Sequence, residues 1–175
     1  MTISKRECLV TVSAVGVALV GVVAMASPAS AGTNSAQGSK AYGSYVITNK
    51  FADSFPDPCF WCVTQTLNVS GVSSATYSGP ASNVKSLRHT DTFIFNGISV
   101  SLNVGTSAGG SVSASGSRAD VTNSLGAGSR SITHYYSNIQ AQSLQFTSLD
   151  RTVLTTYQFG TTFVTLSTSH GVGVG

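Results

Sequence analysis

Glutamate and methionine are both missing after residue 31, and charged residues make up only 9% of the chain. Long helices draw on Glu, Lys, Met and Leu, so their scarcity argues against a coiled coil or a helix bundle. There is no acidic tail. The basic residues after position 31 are Lys40, Lys50, Lys85, Arg88, Arg118, Arg130 and Arg151, and only Lys85 and Arg88 lie close together. A nucleic-acid binder gathers Lys and Arg on one face, because affinity rises with the phosphates neutralised; none is expected here. A phosphate loop, a dinucleotide fingerprint, a zincin motif and a G-x-S-x-G elbow are all lacking. The three histidines, His89, His134 and His170, show no paired spacing, so neither a metal nor a cofactor is expected.

What is abundant is the small hydroxyl. The 144 residues after Ala31 contain 25 Ser and 18 Thr. The hydrophobic share of the chain, 41%, is too high for a disordered linker. Threonine and serine on exposed strand faces keep β-propensity without adding charge.

The N-terminus has the layout of an export signal. Lys5 and Arg6 precede an uncharged stretch over residues 9–26. Pro28 then interrupts it, and Ala29, Ser30 and Ala31 supply the small residues that a signal peptidase accepts. Residues 1–31 are expected to be a cleaved signal peptide and the protein to be secreted. An uncleaved membrane anchor is the alternative. Residues 32–41, rich in Gly, Ser, Ala, Gln and Asn, are expected to be a flexible leader, followed by one β domain over residues 42–175.

Cys59 and Cys62 flank Phe60 and Trp61. Outside the cell the simple expectation is a local disulfide closing a small ring. A redox pair would need a helix N-terminus after the first thiol, whereas residues 63–69 alternate as a strand does. Zinc would need two further ligands.

Short alternating segments run through the chain. Trp61, Val63, Leu67 and Val69 share one face, with Gln65 the polar intruder. Ser70-Gly71 is expected to turn the chain, with residues 72–77 returning. Asn96-Gly97 between two apolar segments predicts a β-hairpin with a type I′ turn. Further strands are expected at residues 131–136, 144–149, 152–159 and 161–167, with Gly160 breaking the last two. Residues 139–144 also admit a short helix capped by Asn138. Residues 105–116 fit either a long loop or an edge strand. About 8–10 short strands point to an all-β domain, a single antiparallel β-sandwich or barrel. With few charges guarding its edges, such a domain risks self-association.

The nearest approach to a catalytic cluster is His89 and Asp91, which point to the same side of a strand, as a general base and its orienting carboxylate do. The bland alternative is a solvated pair. Asp53 and Asp57 read as loop-forming residues between Phe51 and Cys59. Phe60, Trp61, Tyr135 and Tyr136 are candidate ligand-contact aromatics, with core packing the competing role.

Three functions follow as expectations. The first is a secreted, non-enzymatic binding, surface or interaction domain with an extracellular partner: a protein, a glycan or a cell surface. The second is a membrane-active toxin, because the nearly uncharged, Ser/Thr/Gly-rich residues 98–121 are similar in composition to the membrane-inserting hairpins of β-pore toxins. The third is a small extracellular hydrolase using His89 and Asp91.

Overall fold

The computed structural model describes residues 32–55, 63–104 and 110–174. These residues form ten strands: β1 (Thr33–Tyr42), β2 (Tyr45–Ser54), β3 (Gln65–Tyr77), β4 (Ser86–Ile98), β5 (Ser101–Val104), β6 (Ser111–Ser115), β7 (Arg118–Leu125), β8 (Ser131–Ser143), β9 (Gln145–Phe159) and β10 (Thr162–Gly173). A single 3-10 turn, Ala81–Asn83, separates β3 from β4. One sheet has the order β1-β2-β3-β8-β5 and the other β10-β9-β4-β7-β6, and all pairings are antiparallel. The two sheets stack into a sandwich, the all-β class expected from the alternating pattern.

Alternation explains what the sandwich encloses. Along β4, Leu87, His89, Asp91, Phe93 and Phe95 point inward; along β9, Leu149, Arg151, Val153, Thr155, Tyr157 and Phe159 do. The apolar members gather at the two ends of the strands. One cluster holds Leu67, Val69, Phe93, Phe95, Phe146 and Leu149, and the other holds Ile47, Tyr77, Leu87, Tyr157, Phe159 and Leu166. Each such side chain contributes about 1.5–3 kcal/mol when fully buried. Between the two clusters lie a small third one, Ala36, Phe51 and Val153, and the buried polar residues that form the waist described below.

Several expectations are corrected. Residues 32–41 are no leader: Thr33–Tyr42 is an edge strand paired with β2 along its whole length. Its inward residues are Asn34, Ala36 and Gly38, too small to register as apolar alternation. Small residues are needed there because β1 closes onto β10: a Cβ on Gly38 would sit 2.4 Å from Thr168 Oγ1. Lys40 Nζ donates to Thr165 O at 3.0 Å across the same seam.

Asn96-Gly97 makes no hairpin. β4 continues through it, and the register against β9 shifts by one residue between Asn96 and Gly97. The demand on Gly97 is close approach rather than a positive φ, since a Cβ would lie 2.3 Å from Gln145 O. The left-handed residue is Ser99 (φ 55°), where the chain leaves one sheet for β5 of the other. Ser70-Gly71 likewise lies inside β3, at a register shift against β8. Residues 139–144 are not helical; Ile139 and Ala141 pair in β8. Gly160 does turn the chain between β9 and β10, at φ 60°.

Candidate functional site

His89 and Asp91 lie on β4 at the waist of the sandwich, and neither side chain has any exposed surface. They are inward on the same strand, as their spacing requires, and they are not solvated. Packed around them are Ser73 of β3, His134 and Tyr136 of β8, Arg151 and Thr155 of β9, and Asp53 of β2.

Arg151 is the hub. Its Nη2 donates to Asp91 Oδ1 at 2.5 Å and to Tyr136 Oη at 3.1 Å, and its Nε lies 3.3 Å from Asp53 Oδ2. Its Nη1 donates to the carbonyls of Thr152, at 3.1 Å, and Thr92, at 3.4 Å. The guanidinium carbon stands 3.9 Å from the centre of the Phe93 ring, so the cation also rests on an aromatic face. Tyr136 donates its hydroxyl hydrogen to Asp53 Oδ1.

The histidines complete the set. His134 Nδ1 donates to Asp91 Oδ2 at 2.8 Å. His89 lies between two hydroxyls, with Nδ1 2.7 Å from Thr155 Oγ1 and Nε2 2.9 Å from Ser73 Oγ. A neutral imidazole satisfies both contacts, one nitrogen donating and the other accepting.

Burial sets the electrostatics. Desolvation raises the Asp91 carboxyl, but the hydrogen bond from His134 and the charge of Arg151 outweigh it and hold Asp91 down at about 2. Asp53 faces the same arginine yet moves the other way. Burial pushes it up to about 6, and a more distant Arg151 nitrogen with one tyrosine hydroxyl does not compensate. Burial also lowers His89 and raises Tyr136. The Arg151 charge survives because Asp91 and Asp53 overcome the desolvation that opposes it.

Chemically, the waist is a closed ionic knot. Substrate reaches neither the base nor the carboxylate that the spacing suggested. Among the described residues no group of three or more His, Cys, Asp or Glu side chains is placed to hold a metal ion.

Sequence reasoning missed Arg151 and misplaced Asp53, which is a buried strand residue rather than part of a loop. The available signal was alternation itself. Arg151 falls between Leu149 and Val153 on an apolar face, and Asp53 follows Ile47, Asn49 and Phe51 at steps of two.

The aromatic candidates separate. Tyr136 is buried in the knot, so it is no ligand contact. Tyr135, one residue away, points outward and is 72% exposed. It stands opposite Val72, which is opposite Ala52; the next row pairs Thr133, Ser74 and Lys50. These six residues, together with Phe51, frame a shallow concavity of about 430 Å³ on the outer face of the first sheet, more apolar than polar. Phe60, Trp61, Cys59 and Cys62 lie outside the described residues, as do Asp57 and residues 1–31, where an export signal is expected. The toxin-like segment 98–121 is no single hairpin: β5 belongs to one sheet, while β6 and β7 belong to the other. Among the described residues no helix is long and apolar enough to cross a membrane.

No protein-family model matches the sequence, and no curated protein matches it. Among solved structures, the collagen-binding domain of a Staphylococcus aureus adhesin overlaps 69% of this chain and 95% of its own, at 15% identity and a TM-score of 0.32. The collagen-binding domain of the Erysipelothrix rhusiopathiae surface protein RspB overlaps 74% of this chain and 63% of its own, at 8% identity and a TM-score of 0.33. A structure described as manganese lipoxygenase of Gaeumannomyces graminis with a partial zonadhesin of Komagataella pastoris overlaps 88% of this chain and 78% of its own, at 7% identity and a TM-score of 0.35. Overlap this loose assigns no residue of the knot or of the Tyr135 surface a counterpart.

Proposed function

We propose that this protein is an extracellular binding domain, exported with cleavage after Ala31, that engages a protein, glycan or cell-surface partner through a sheet face and performs no covalent chemistry. One observation carries the proposal. The ionisable groups that resemble catalytic machinery are sealed between the sheets, while Tyr135 stands open beside Lys50 on a shallow, largely apolar concavity. An amphipathic ring of this kind offers large contact area at low entropic cost, which suits binding.

The test is surface plasmon resonance of residues 32–175 against a panel of extracellular-matrix proteins and cell-wall polysaccharides. The expected result is saturable binding to a panel member that Tyr135→Ala weakens about tenfold or more, as truncating a central aromatic does. A hydrolytic activity in the same preparation, abolished by His89→Ala in a folded variant, would overturn the proposal in favour of an enzyme. Dye release from liposomes at micromolar protein would overturn it in favour of a membrane-active toxin.

A further inference from the structure

The outer face of the second sheet carries a different surface from the Tyr135 side. Cross-strand rows bring Thr165, Thr156, Arg88 and Ser124 into line across β10, β9, β4 and β7. The next row holds Ser167, Leu154, Thr90, Thr122 and Ser111. Two open concavities, of about 410 and 330 Å³, share Arg88 and Thr156 as walls and so form one groove. At one end stands Phe163, 65% exposed; Leu154, 41% exposed, lines the middle; Arg118 and Asp120 close the far end.

The charges in this groove are unequal. Asp120, its sole carboxylate, is held by Arg118 at 2.8 and 3.0 Å and accepts from Thr92 Oγ1 at 2.6 Å. The Arg88 side chain is exposed and has no hydrogen bond or ion pair among the described residues. Its cross-strand neighbours, Thr156 and Ser124, are uncharged hydroxyls. The groove therefore holds one uncompensated guanidinium among hydroxyls, next to an exposed ring.

We propose that this groove is a binding site for an acidic polysaccharide bearing uronic-acid carboxylates. The planar fork of Arg88 fits one carboxylate in a bidentate pair. The Phe163 ring offers a face to the C–H side of a sugar, and the threonine hydroxyls of Thr90, Thr122 and Thr156 serve as donors and acceptors for ring hydroxyls. A polyphosphate chain fits less well, because its affinity rests on many cations and this groove has one free. A peptide added as a strand would need a sheet edge, and the groove lies on a face. The site rests on the extracellular binding role proposed above but uses the opposite sheet, so the two are tested apart.

The experiment titrates residues 32–175 with polygalacturonic acid, with the same polymer methyl-esterified, and with dextran sulfate, by isothermal calorimetry at low salt. Polygalacturonic acid is expected to bind, and methyl esterification or Arg88→Gln to weaken it at least about tenfold, the scale of losing one charged hydrogen-bonded contact. Arg88→Lys is expected to restore part of that loss, and Phe163→Ser to weaken binding several-fold. Equal binding of the methyl ester, indifference to Arg88→Gln, a preference for dextran sulfate, or no binding at millimolar uronate would each overturn the site. If Tyr135→Ala abolishes polysaccharide binding while Arg88→Gln does not, this groove is excluded and the binding-domain role stands.

Discussion

The waist of the sandwich and its outer faces are built from the same kinds of residue: Arg, Asp, Ser and Thr occur in both. Inside, the charge of Arg151 is matched by Asp91 at 2.5 Å and Asp53 at 3.3 Å, and the hydroxyls of Ser73 and Thr155 are both committed to His89. Outside, hydroxyls pair loosely across strands, as Thr90 with Thr122 at 3.1 Å and Thr156 with Thr165 at 3.0 Å, and Arg88 stays unpaired. Residue type therefore does not assign a role in this fold. Exposure does, because a charge removed from water must find its counter-charge within the fold, whereas one left in water remains available to a ligand.

The largest effect is expected at Arg151. Arg151→Met leaves the Asp91 and Asp53 carboxylates buried without their cation. It is expected to cost about 3–5 kcal/mol in urea unfolding, the range for stripping one partner from a buried pair. A loss below about 1 kcal/mol would mean that the waist is no more demanding than the surface.

Acid titration sharpens the contrast within the waist itself. Asp53 is raised to about 6 in the folded protein, so the fold favours its protonated form. Its contribution to stability is complete below about pH 4 and declines as pH rises through 6. The stability of the wild type relative to Asp53→Asn should therefore fall by about 3 kcal/mol between pH 3 and pH 7. Asp91, lowered to about 2, behaves oppositely: its contribution is present above about pH 4 and is lost as pH falls towards 2. His89, lowered by burial, also withdraws stability as pH falls below 6.5. It is common to wild type and Asp53→Asn, so the difference between them isolates Asp53. Chemical denaturation in steps of half a pH unit reads the slope, and a flat difference would refute the assignment of Asp53.

Smaller effects follow from the backbone. Gly97→Ala places a Cβ against Gln145 O, a backbone atom that cannot swing aside. We expect about 1–3 kcal/mol of destabilisation, the cost of overpacking, visible as a lowered urea midpoint with an unchanged slope. At the bottom of the scale lies the outer face. Thr156→Val removes a hydroxyl shared with Thr165 but opens no cavity, and its effect on stability should stay within about 0.5 kcal/mol. A larger loss would show that the outer hydroxyl rows are structural as well.

Legibility of the sequence tracked whether a feature was local. The alternation of Leu67 with Val69 and the break at Gly160 are statements about neighbouring residues, and the structure has them as expected. Gln65, the intruder on the inward face of β3, is there because its Oε1 accepts the Phe146 amide at 2.8 Å, a bond between residues far apart in the chain. The two Gly-containing pairs expected as turns, Ser70-Gly71 and Asn96-Gly97, are register shifts within long strands. A glycine that permits a turn and one that admits a neighbouring carbonyl look alike until the partner strand is known. The site was less legible than the fold. His89 and Asp91 were visible as a pair facing one way, but nothing nearby in sequence says whether that way is water or core.

Alternating apolar and hydroxyl residues, poor in helix formers, pack as layered sheets whatever their order, so the class of structure is written along each strand. That Asp53, Asp91 and Arg151, separated by up to 98 positions, meet in one knot, and that Tyr136 goes inward while Tyr135 stays in solvent, follows from how the two sheets pack. The reason is physical. Side-chain alternation is a property of one strand, but the partner of a buried charge comes from whichever strand the sheet order sets against it, and that order comes from packing two sheets together.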